Sequence, residues 1–150
     1  MKRIISFFTA CALLIGCTGT VVSNKTVSVI PQPSSVELSE GYFRLTSKTQ
    51  ANFLYEAPEL EYVSLALERI TADVFGEGIK MNLSSLDATH GINFILDEQI
   101  PEEGYRLEVA EKTIDIASST ASGAFYALQT LRQLMGAEAF ATENVKAVEI

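Results

Sequence analysis

Two stretches of the chain repeat apolar residues at the period of an α-helix. The first starts near Pro58, a residue suited to a first helical turn, and ends before Gly76. Its apolar positions recur every three or four residues and form one stripe: Leu60, Val63, Leu67, Ile70, Val74. The second starts after the N-cap candidates Ser118, Ser119 and Thr120 and ends before Gly136. Its apolar face is wider: Ala124, Phe125, Ala127, Leu128, Leu131, Leu134, Met135.

Gly123 lies inside the second predicted helix. Glycine in a helix interior costs about 1 kcal/mol relative to alanine. The neighbours Ala121, Ala124 and Ala127 are also small. This composition predicts that the helix packs closely against a sheet or another helix at Gly123.

Other stretches alternate apolar and polar residues at the period of a β-strand. The clearest is a hairpin, in which Tyr105, Leu107 and Val109 precede a turn at 110–112 and Ile114 and Ile116 follow it. Shorter strand-like runs cover 27–30, 36–45 with a turn at 39–41, 51–55, 79–83 and 92–96. One wet and one packed face are typical of antiparallel sheets.

These patterns predict an α+β fold, an antiparallel sheet with two helices packed on one face. A layer of helices has two sides, and only one can rest on this sheet. Phe125, Tyr126 and Met135 lie at angles that do not share one direction, so apolar surface is left over. Another body is expected to cover it.

The N-terminus has the features of an export signal. Lys2 and Arg3 precede an apolar stretch over 4–15, whose helix would rise only about 18 Å, too short to cross a bilayer. Leu14 to Cys17 (LIGC) resembles the bacterial lipobox, in which the cysteine thiol receives a diacylglyceryl group. We therefore expect a signal peptide over 1–16 and lipid attachment at Cys17.

Several expectations follow from that assignment. Residues 17–26 are short and polar and are expected to be a tether, followed by the folded domain over 27–144. The absence of an aspartate directly after Cys17 favours the outer membrane, and the absence of an acidic run there favours its periplasmic face. Acyl chains on Cys17 anchor a protein stably, so the lipid is the expected membrane contact.

Charge and cysteine content exclude several kinds of function. The chain has a formal charge of −8, and loss of Lys2 and Arg3 with the signal makes it −10. An acidic chain without a basic patch argues against nucleic acid as a partner. The two cysteines are Cys11, in the signal, and Cys17, so the remainder has no thiol for disulfides, metal sites or nucleophilic catalysis. No cofactor or metal site is predicted, and the single histidine, His90, is interpreted as a turn residue rather than a metal ligand.

Three runs together resemble one enzyme family. They are Val29 to Pro33 (VIPQP), Glu103 to Val109 (EGYRLEV) followed by TIDIA at 113–117, and Ala121 to Leu134 (ASGAFYALQTLRQL). The chain is similar in these runs to the N-terminal domain of family-20 glycoside hydrolases, the β-N-acetylhexosaminidases. The helical run is the most specific of the three.

The resemblance implies a fold partner and an activity. In the family the helices of this domain lie against a following (β/α)₈ barrel, so residues 145–150 would lead into such a barrel. The barrel hydrolyses terminal N-acetyl-D-hexosamine residues from glycans, with a Glu as general acid and an Asp that orients the substrate's 2-acetamido group. That group attacks the anomeric carbon itself, so no carboxylate nucleophile is needed.

No catalytic residue is carried over to this chain. Asp97 and Glu98 are adjacent acids, and His90 and Gly91 precede them, but the spacing departs from the family's His-x-Gly-x-Asp-Glu pattern. The chain alone is therefore expected to be inactive and to brace the barrel in cis. The alternatives are a free-standing lipoprotein module that binds a glycan or a protein, and the N-terminal domain of a related glycosidase family.

Overall fold

The structure is a computed structural model that describes residues 19–23, 27–83, 85, 86 and 88–150. The predicted signal peptide and the lipid-attachment residue Cys17 lie outside the described residues. Within them the chain forms eight strands and three helices. In chain order these are β1 (Thr20–Ser23), β2 (Arg44–Leu45), β3 (Gln50–Phe53), α1 (Leu60–Phe75), β4 (Lys80–Asn82), β5 (Gly91–Leu96), β6 (Arg106–Val109), β7 (Thr113–Ser118), α2 (Ala121–Met135), α3 (Ala137–Ala141) and β8 (Val145–Glu149).

The larger sheet has five strands in the order β4-β3-β5-β7-β6. The α+β class is confirmed, but the prediction of an antiparallel sheet is wrong for most of it. β3 pairs parallel with β4 and β5, and β5 pairs parallel with β7. Only the predicted hairpin of β6 and β7 is antiparallel. Parallel pairing is possible because long connections join the parallel neighbours. A connection containing α1 joins β3 to β4, one containing α1 and β4 joins β3 to β5, and one containing β6 joins β5 to β7.

A smaller sheet joins the two ends of the described chain, in the order β1-β8-β2. β1, which lies within the expected tether over 17–26, pairs parallel with β8. Val145–Glu149, which follows the expected domain boundary at 144, forms the central strand of this sheet. The common core buries the side chains of Val22 on β1 and of Val145 and Val148 on β8, and this burial stabilises the pairing of the two strands.

Some predicted strands do not form. Residues 27–30 and 36–42 have no strand, and only Arg44–Leu45 of the 36–45 run pairs with β8. Alternation alone does not make a strand where no neighbour is available to complete the backbone hydrogen bonds. The other predicted runs contain β3, β4 and β5.

The helices follow the predicted stripes closely. In α1 the buried residues include all five predicted stripe positions, and Gly76 ends the helix in the left-handed conformation with φ 78°. In α2, Thr120 is the N-cap, and its side chain accepts a hydrogen bond from the Gly123 N–H. α3 was not predicted; it starts directly after Gly136 and buries Ala139.

One hydrophobic core unites the helices with one face of the larger sheet. The rings of Phe53 and Phe94, neighbours on β3 and β5, stack at 4.4 Å between centroids. Ile114 and Ile116 of β7 belong to the same cluster as the buried stripes of α1 and α2. Asn52, Asn93 and Asp115 alternate with these residues on the strands, so the opposite sheet face carries polar side chains.

Candidate functional site

The helix layer exposes apolar side chains on the side away from the core. Leu65 of α1 is 56% exposed and Tyr126 of α2 is 44% exposed, and Tyr62 is exposed beside them. The half-buried ring of Phe125 lies 6.1 Å from the Tyr62 ring and 6.3 Å from the Tyr126 ring, between centroids. These four residues, Tyr62, Leu65, Phe125 and Tyr126, are called the helix patch below.

Helical geometry explains why these side chains point outward. Leu65 lies between the stripe positions Val63 and Leu67, and a shift of two residues turns a side chain through about 200°. The expectation that Phe125, Tyr126 and Met135 do not share one direction is confirmed. Met135 is fully buried, Phe125 is half-buried and Tyr126 is exposed.

Residues 27–42 form neither a helix nor a strand, and they contact α2 at Ile30; this segment is called the arm. Gln133 of α2 holds it by two hydrogen bonds to one residue: the Ile30 N–H donates to Gln133 Oε1 at 2.8 Å, and Gln133 Nε2 donates to the Ile30 carbonyl at 3.0 Å. Gln133 is seven residues after Tyr126, so both lie on one side of α2 about two turns apart. The arm also carries exposed apolar side chains, with Ile30 and Leu38 both 79% exposed.

The start of α2 is held against the loop before β6. Gly123 meets the Gly104 carbonyl so closely that an added Cβ would lie 2.2 Å from its oxygen. The close packing predicted at Gly123 is confirmed, but its closest neighbour is the loop before β6 and not a sheet or another helix. The Thr120 hydroxyl donates to the Glu102 carbonyl, and the Tyr105 hydroxyl lies 2.6 Å from Thr130 Oγ1. These contacts fix the helix that presents Tyr126.

Asp97, the first of the two adjacent acids considered at the sequence level, has a structural role. One oxygen of its carboxylate accepts from the Gln99 N–H at 3.1 Å, and the other lies 3.2 Å from Arg106 Nη1. This is a turn after β5 with an exposed ion pair. Glu98, the second acid, is exposed.

His90 lies in the exposed turn before β5, as predicted. Its Nδ1 is 3.0 Å from Thr89 Oγ1, and its carbonyl accepts from Asn52 Nδ2 at 2.9 Å. Within the described residues no group of three or more His, Cys, Asp and Glu side chains is placed to hold a metal ion.

Sequence reasoning missed a row of polar side chains on the other face of the larger sheet. Asn82 Nδ2 donates to Gln50 Oε1 at 2.8 Å and to Asn52 Oδ1 at 2.9 Å. Asn52 Nδ2 donates to Asn93 Oδ1 at 2.9 Å, and Asn93 Nδ2 donates to Asp115 Oδ1 at 2.7 Å. This amide ladder crosses β4, β3, β5 and β7. Its signal in the sequence was an asparagine between apolar residues in both Ala51-Asn52-Phe53 and Ile92-Asn93-Phe94.

Tyr55 carries a buried hydroxyl just after β3. The oxygen has no hydrogen-bond partner within 3.5 Å among the described residues. Burial raises the pKa of the Tyr55 hydroxyl above its ordinary value, the nearby Ser118 side chain opposes part of that rise, and Tyr62 adds to it slightly. The neutral phenol is therefore the favoured form in the fold.

Among the described residues no helix combines the length and hydropathy needed to cross a membrane. The membrane contact predicted through Cys17 is not tested by the described residues.

Sequence comparisons with known proteins agree on one family. Residues 26–150 match the sequence model described as glycosyl hydrolase family 20, domain 2. A beta-hexosaminidase of Porphyromonas gingivalis is 29% identical over 127 residues, which cover 81% of this chain and 16% of that protein. A beta-N-acetylhexosaminidase of Cellulomonas fimi is 31% identical over 127 residues, which cover 83% of this chain and 25% of that protein.

A solved structure agrees with the sequence comparisons. The family-20 beta-N-acetylhexosaminidase of Streptomyces coelicolor superimposes with a TM-score of 0.67 at 28% identity, over 81% of this chain and 24% of that one. The chain thus spans about a sixth to a quarter of the length of these relatives.

Proposed function

Because the chain belongs to glycosyl hydrolase family 20 as its domain 2, we propose that it braces the catalytic barrel of a β-N-acetylhexosaminidase. The whole protein would remove terminal N-acetyl-D-hexosamine residues from glycans by substrate-assisted catalysis. The barrel would supply the Asp and Glu of that mechanism, and this domain would supply no reacting group. Asp97, in a turn and an ion pair with Arg106, is in keeping with this division.

The observation that carries the bracing role is the uncovered apolar surface of the helix patch and the arm. They come together on α2, where Gln133 binds Ile30 of the arm two turns from Tyr126 of the patch. Contacts between domains of one chain commonly bury about 600–1,500 Å². Burying a large apolar side chain contributes about 1.5–3 kcal/mol. Covering Leu65, Tyr126 and the exposed arm residues would therefore stabilise the two domains jointly.

The first experiment compares activity with and without the downstream region. The gene is read past Ile150 for a His-x-Gly-x-Asp-Glu-like motif, and the long and short products are assayed on an aryl N-acetyl-β-glucosaminide. We expect turnover from the long product only. Turnover by residues 1–150 alone that survives Glu98→Gln would overturn the proposal.

The second experiment places a charge on the helix patch of the long product. Tyr126→Glu and Leu65→Glu should each lower its thermal midpoint by several degrees, because a buried carboxylate in an interface is poorly solvated. Lys80→Glu is the control, since Lys80 is exposed on β4 away from the helix layer. Equal thermal midpoints for the patch variants and the control would refute the proposed bracing role. A monodisperse, monomeric short product would also favour the free-standing binding module.

We also propose that the protein is a lipoprotein anchored through Cys17, in the outer membrane and facing the periplasm. Thr20, the first residue of β1, is three residues beyond Cys17, and three residues span at most roughly 11 Å. The small sheet would then lie close to the bilayer surface. Metabolic labelling with palmitate should be lost in Cys17→Ser and kept in Cys11→Ser, and fractionation with protease protection should place the protein. Equal labelling of both variants would refute the anchor.

A further inference from the structure

A shallow depression lies between the polar face of the larger sheet and the start of β2. It has a volume of about 550 Å³, within the range of small-molecule sites. Its lining includes Arg44, Lys48, Lys112, His90, Gln50 and Asn82. These six residues define the basic depression discussed below.

The depression reverses the charge balance of the chain. The whole sequence has 19 acidic and 11 basic residues, yet here three cations, Arg44, Lys48 and Lys112, accompany one carboxylate, that of Glu111. Arg44 reaches Glu149 at 3.4 Å. Lys48 and Lys112 have no ion-pair partner within 4.0 Å among the described residues. Two unpaired ammonium groups on one small surface favour an oxyanion ligand.

The backbone under the two lysines is fixed. The turn that carries Lys48 is closed by the Thr46 N–H, which donates to Thr49 Oγ1 at 3.0 Å, and the Lys48 N–H donates to Thr46 Oγ1 at 3.3 Å. The Lys112 carbonyl accepts from the Gly91 N–H at 2.9 Å, which ties the hairpin turn to β5. The two ammonium groups are thus presented from positioned segments.

The amide ladder supplies neutral hydrogen-bonding groups beside these cations. Gln50 Oε1 and Asn82 Nδ2 bond each other at 2.8 Å, which orients both amides. The Gln50 Nε2 donor and the Asn82 Oδ1 acceptor are left without a partner among the described residues. A donor and an acceptor side by side suit the hydroxyls of a sugar. Phe43, the apolar side chain of the lining, is buried and offers no face on which a nucleobase could stack.

We infer that the basic depression binds an acidic sugar, a monosaccharide unit that carries a sulfate or a carboxylate. Lys48 and Lys112 contact the anionic group, and the amides of Gln50 and Asn82 contact ring hydroxyls. The inference rests on the proposed glycosidase function, because that function makes an acidic glycan the expected class of ligand. Binding at this site requires no hydrolysis. The site is distinct from the helix patch, which lies on the other side of the core.

The test is saturation-transfer NMR on the purified protein with glucose 6-sulfate and with glucuronate. Neither probe carries the 2-acetamido group on which the proposed catalysis depends. We expect millimolar binding that weakens as salt rises from about 20 mM to about 200 mM, because the cations are exposed. The double variant Lys48→Gln/Lys112→Gln should bind roughly fivefold more weakly or worse, and Lys48→Arg/Lys112→Arg should bind as the parent does. Arg69→Gln/Arg132→Gln, which removes two exposed positive charges from α1 and α2, is the charge-matched control.

Several outcomes would overturn the inference. Unchanged binding by the double glutamine variant would show that the lysines do not bind the ligand. Equal binding of glucose would show that the anionic group is not recognised. Equal affinity for inorganic sulfate would show that the sugar ring contributes nothing to binding. Binding only to phosphatidylglycerol vesicles would identify the ligand as a lipid headgroup. Failure of aryl N-acetyl-β-glucosaminide hydrolysis with intact sugar binding would refute the proposed function alone.

Discussion

Replacing Gly123 by alanine tests whether α2 is positioned by backbone contact rather than by side-chain packing alone. An ideal Cβ at residue 123 would lie 2.2 Å from the Gly104 oxygen and 3.1 Å from Ser118 Cβ. Unstrained contacts to carbon lie near 3.5 Å, so the helix and the 101–104 loop must separate by about 1 Å. The Thr120 hydroxyl bridges these same elements, donating to Glu102 and accepting from the Gly123 N–H.

The expected sign follows from two opposing magnitudes. Alanine gains about 1 kcal/mol over glycine in a helix interior. Overpacking of a close contact costs about 1–3 kcal/mol, and each hydrogen bond weakened by the shift costs about 1 kcal/mol more. The Thr120 cap and the Tyr105–Thr130 hydrogen bond would both be disturbed. We therefore expect Gly123→Ala to lower the free energy of unfolding by about 1–3 kcal/mol.

Urea unfolding followed by circular dichroism measures this difference, and the thermal midpoint should fall by roughly 3–4 °C per kcal/mol. Ser122→Ala is the matched control, because Ser122 is the exposed preceding residue of the same helix. The control should be neutral or slightly stabilising. If Gly123→Ala were as stable as the parent, the contact with Gly104 would not constrain α2 and the reasoning would fail.

Two further substitutions test buried hydroxyls. Thr71→Val should cost about 1–3 kcal/mol of unfolding free energy, because the fully buried Thr71 hydroxyl accepts from the Ile79 N–H at 3.2 Å and that N–H would be left unpaired. Ser64→Ala, whose hydroxyl only donates to a helix carbonyl, should change little, and a loss equal to that of Thr71→Val would contradict this reading. Tyr55→Phe should be neutral or stabilising at pH 7, since the hydroxyl has no hydrogen-bond partner within 3.5 Å among the described residues. Tyr105→Phe should lose about 1 kcal/mol with its hydrogen bond to Thr130. Because burial raises the Tyr55 pKa, the unfolded chain loses this proton at a lower pH than the folded chain does. The free energy of unfolding of the parent should therefore fall as pH rises above about 10, and Tyr55→Phe should lack that part of the fall. Identical stability profiles of the two proteins at alkaline pH would refute this prediction.

The candidate site was predictable in part. The stripe of α1 and the wide face of α2 could be read from sequence because helical periodicity is local. The same reading indicated uncovered apolar surface around Tyr126, and the structure exposes Tyr126 as well as Leu65. The alternation in the arm predicts strands at 27–30 and 36–45. It does not predict the hydrogen bonds between Ile30 and Gln133, because these residues are 103 positions apart in the chain.

The sheet shows why strand pairing could not be read in the same way. Asp115 and Asn93 alternate with buried residues, a pattern that favours antiparallel strands with one wet face. In the fold these side chains are joined to each other, and Asn93 is fully buried. Parallel strands usually show continuous apolar runs, but here amide side chains satisfy one another across the strands and produce the same alternation.

The sequence by itself determined the elements whose signals are local: the two long helices with their caps, the β6–β7 hairpin, the close contact at Gly123, and the family carried by the run from Ala121 to Leu134. The tertiary structure alone decided which strands are neighbours, that the β1 segment pairs with β8, and that Lys48 and Lys112 share one surface with the amide ladder. The physical reason is that periodicity and capping act within a few residues, whereas strand order and surface chemistry depend on contacts between residues far apart in the chain, and such contacts leave no local pattern.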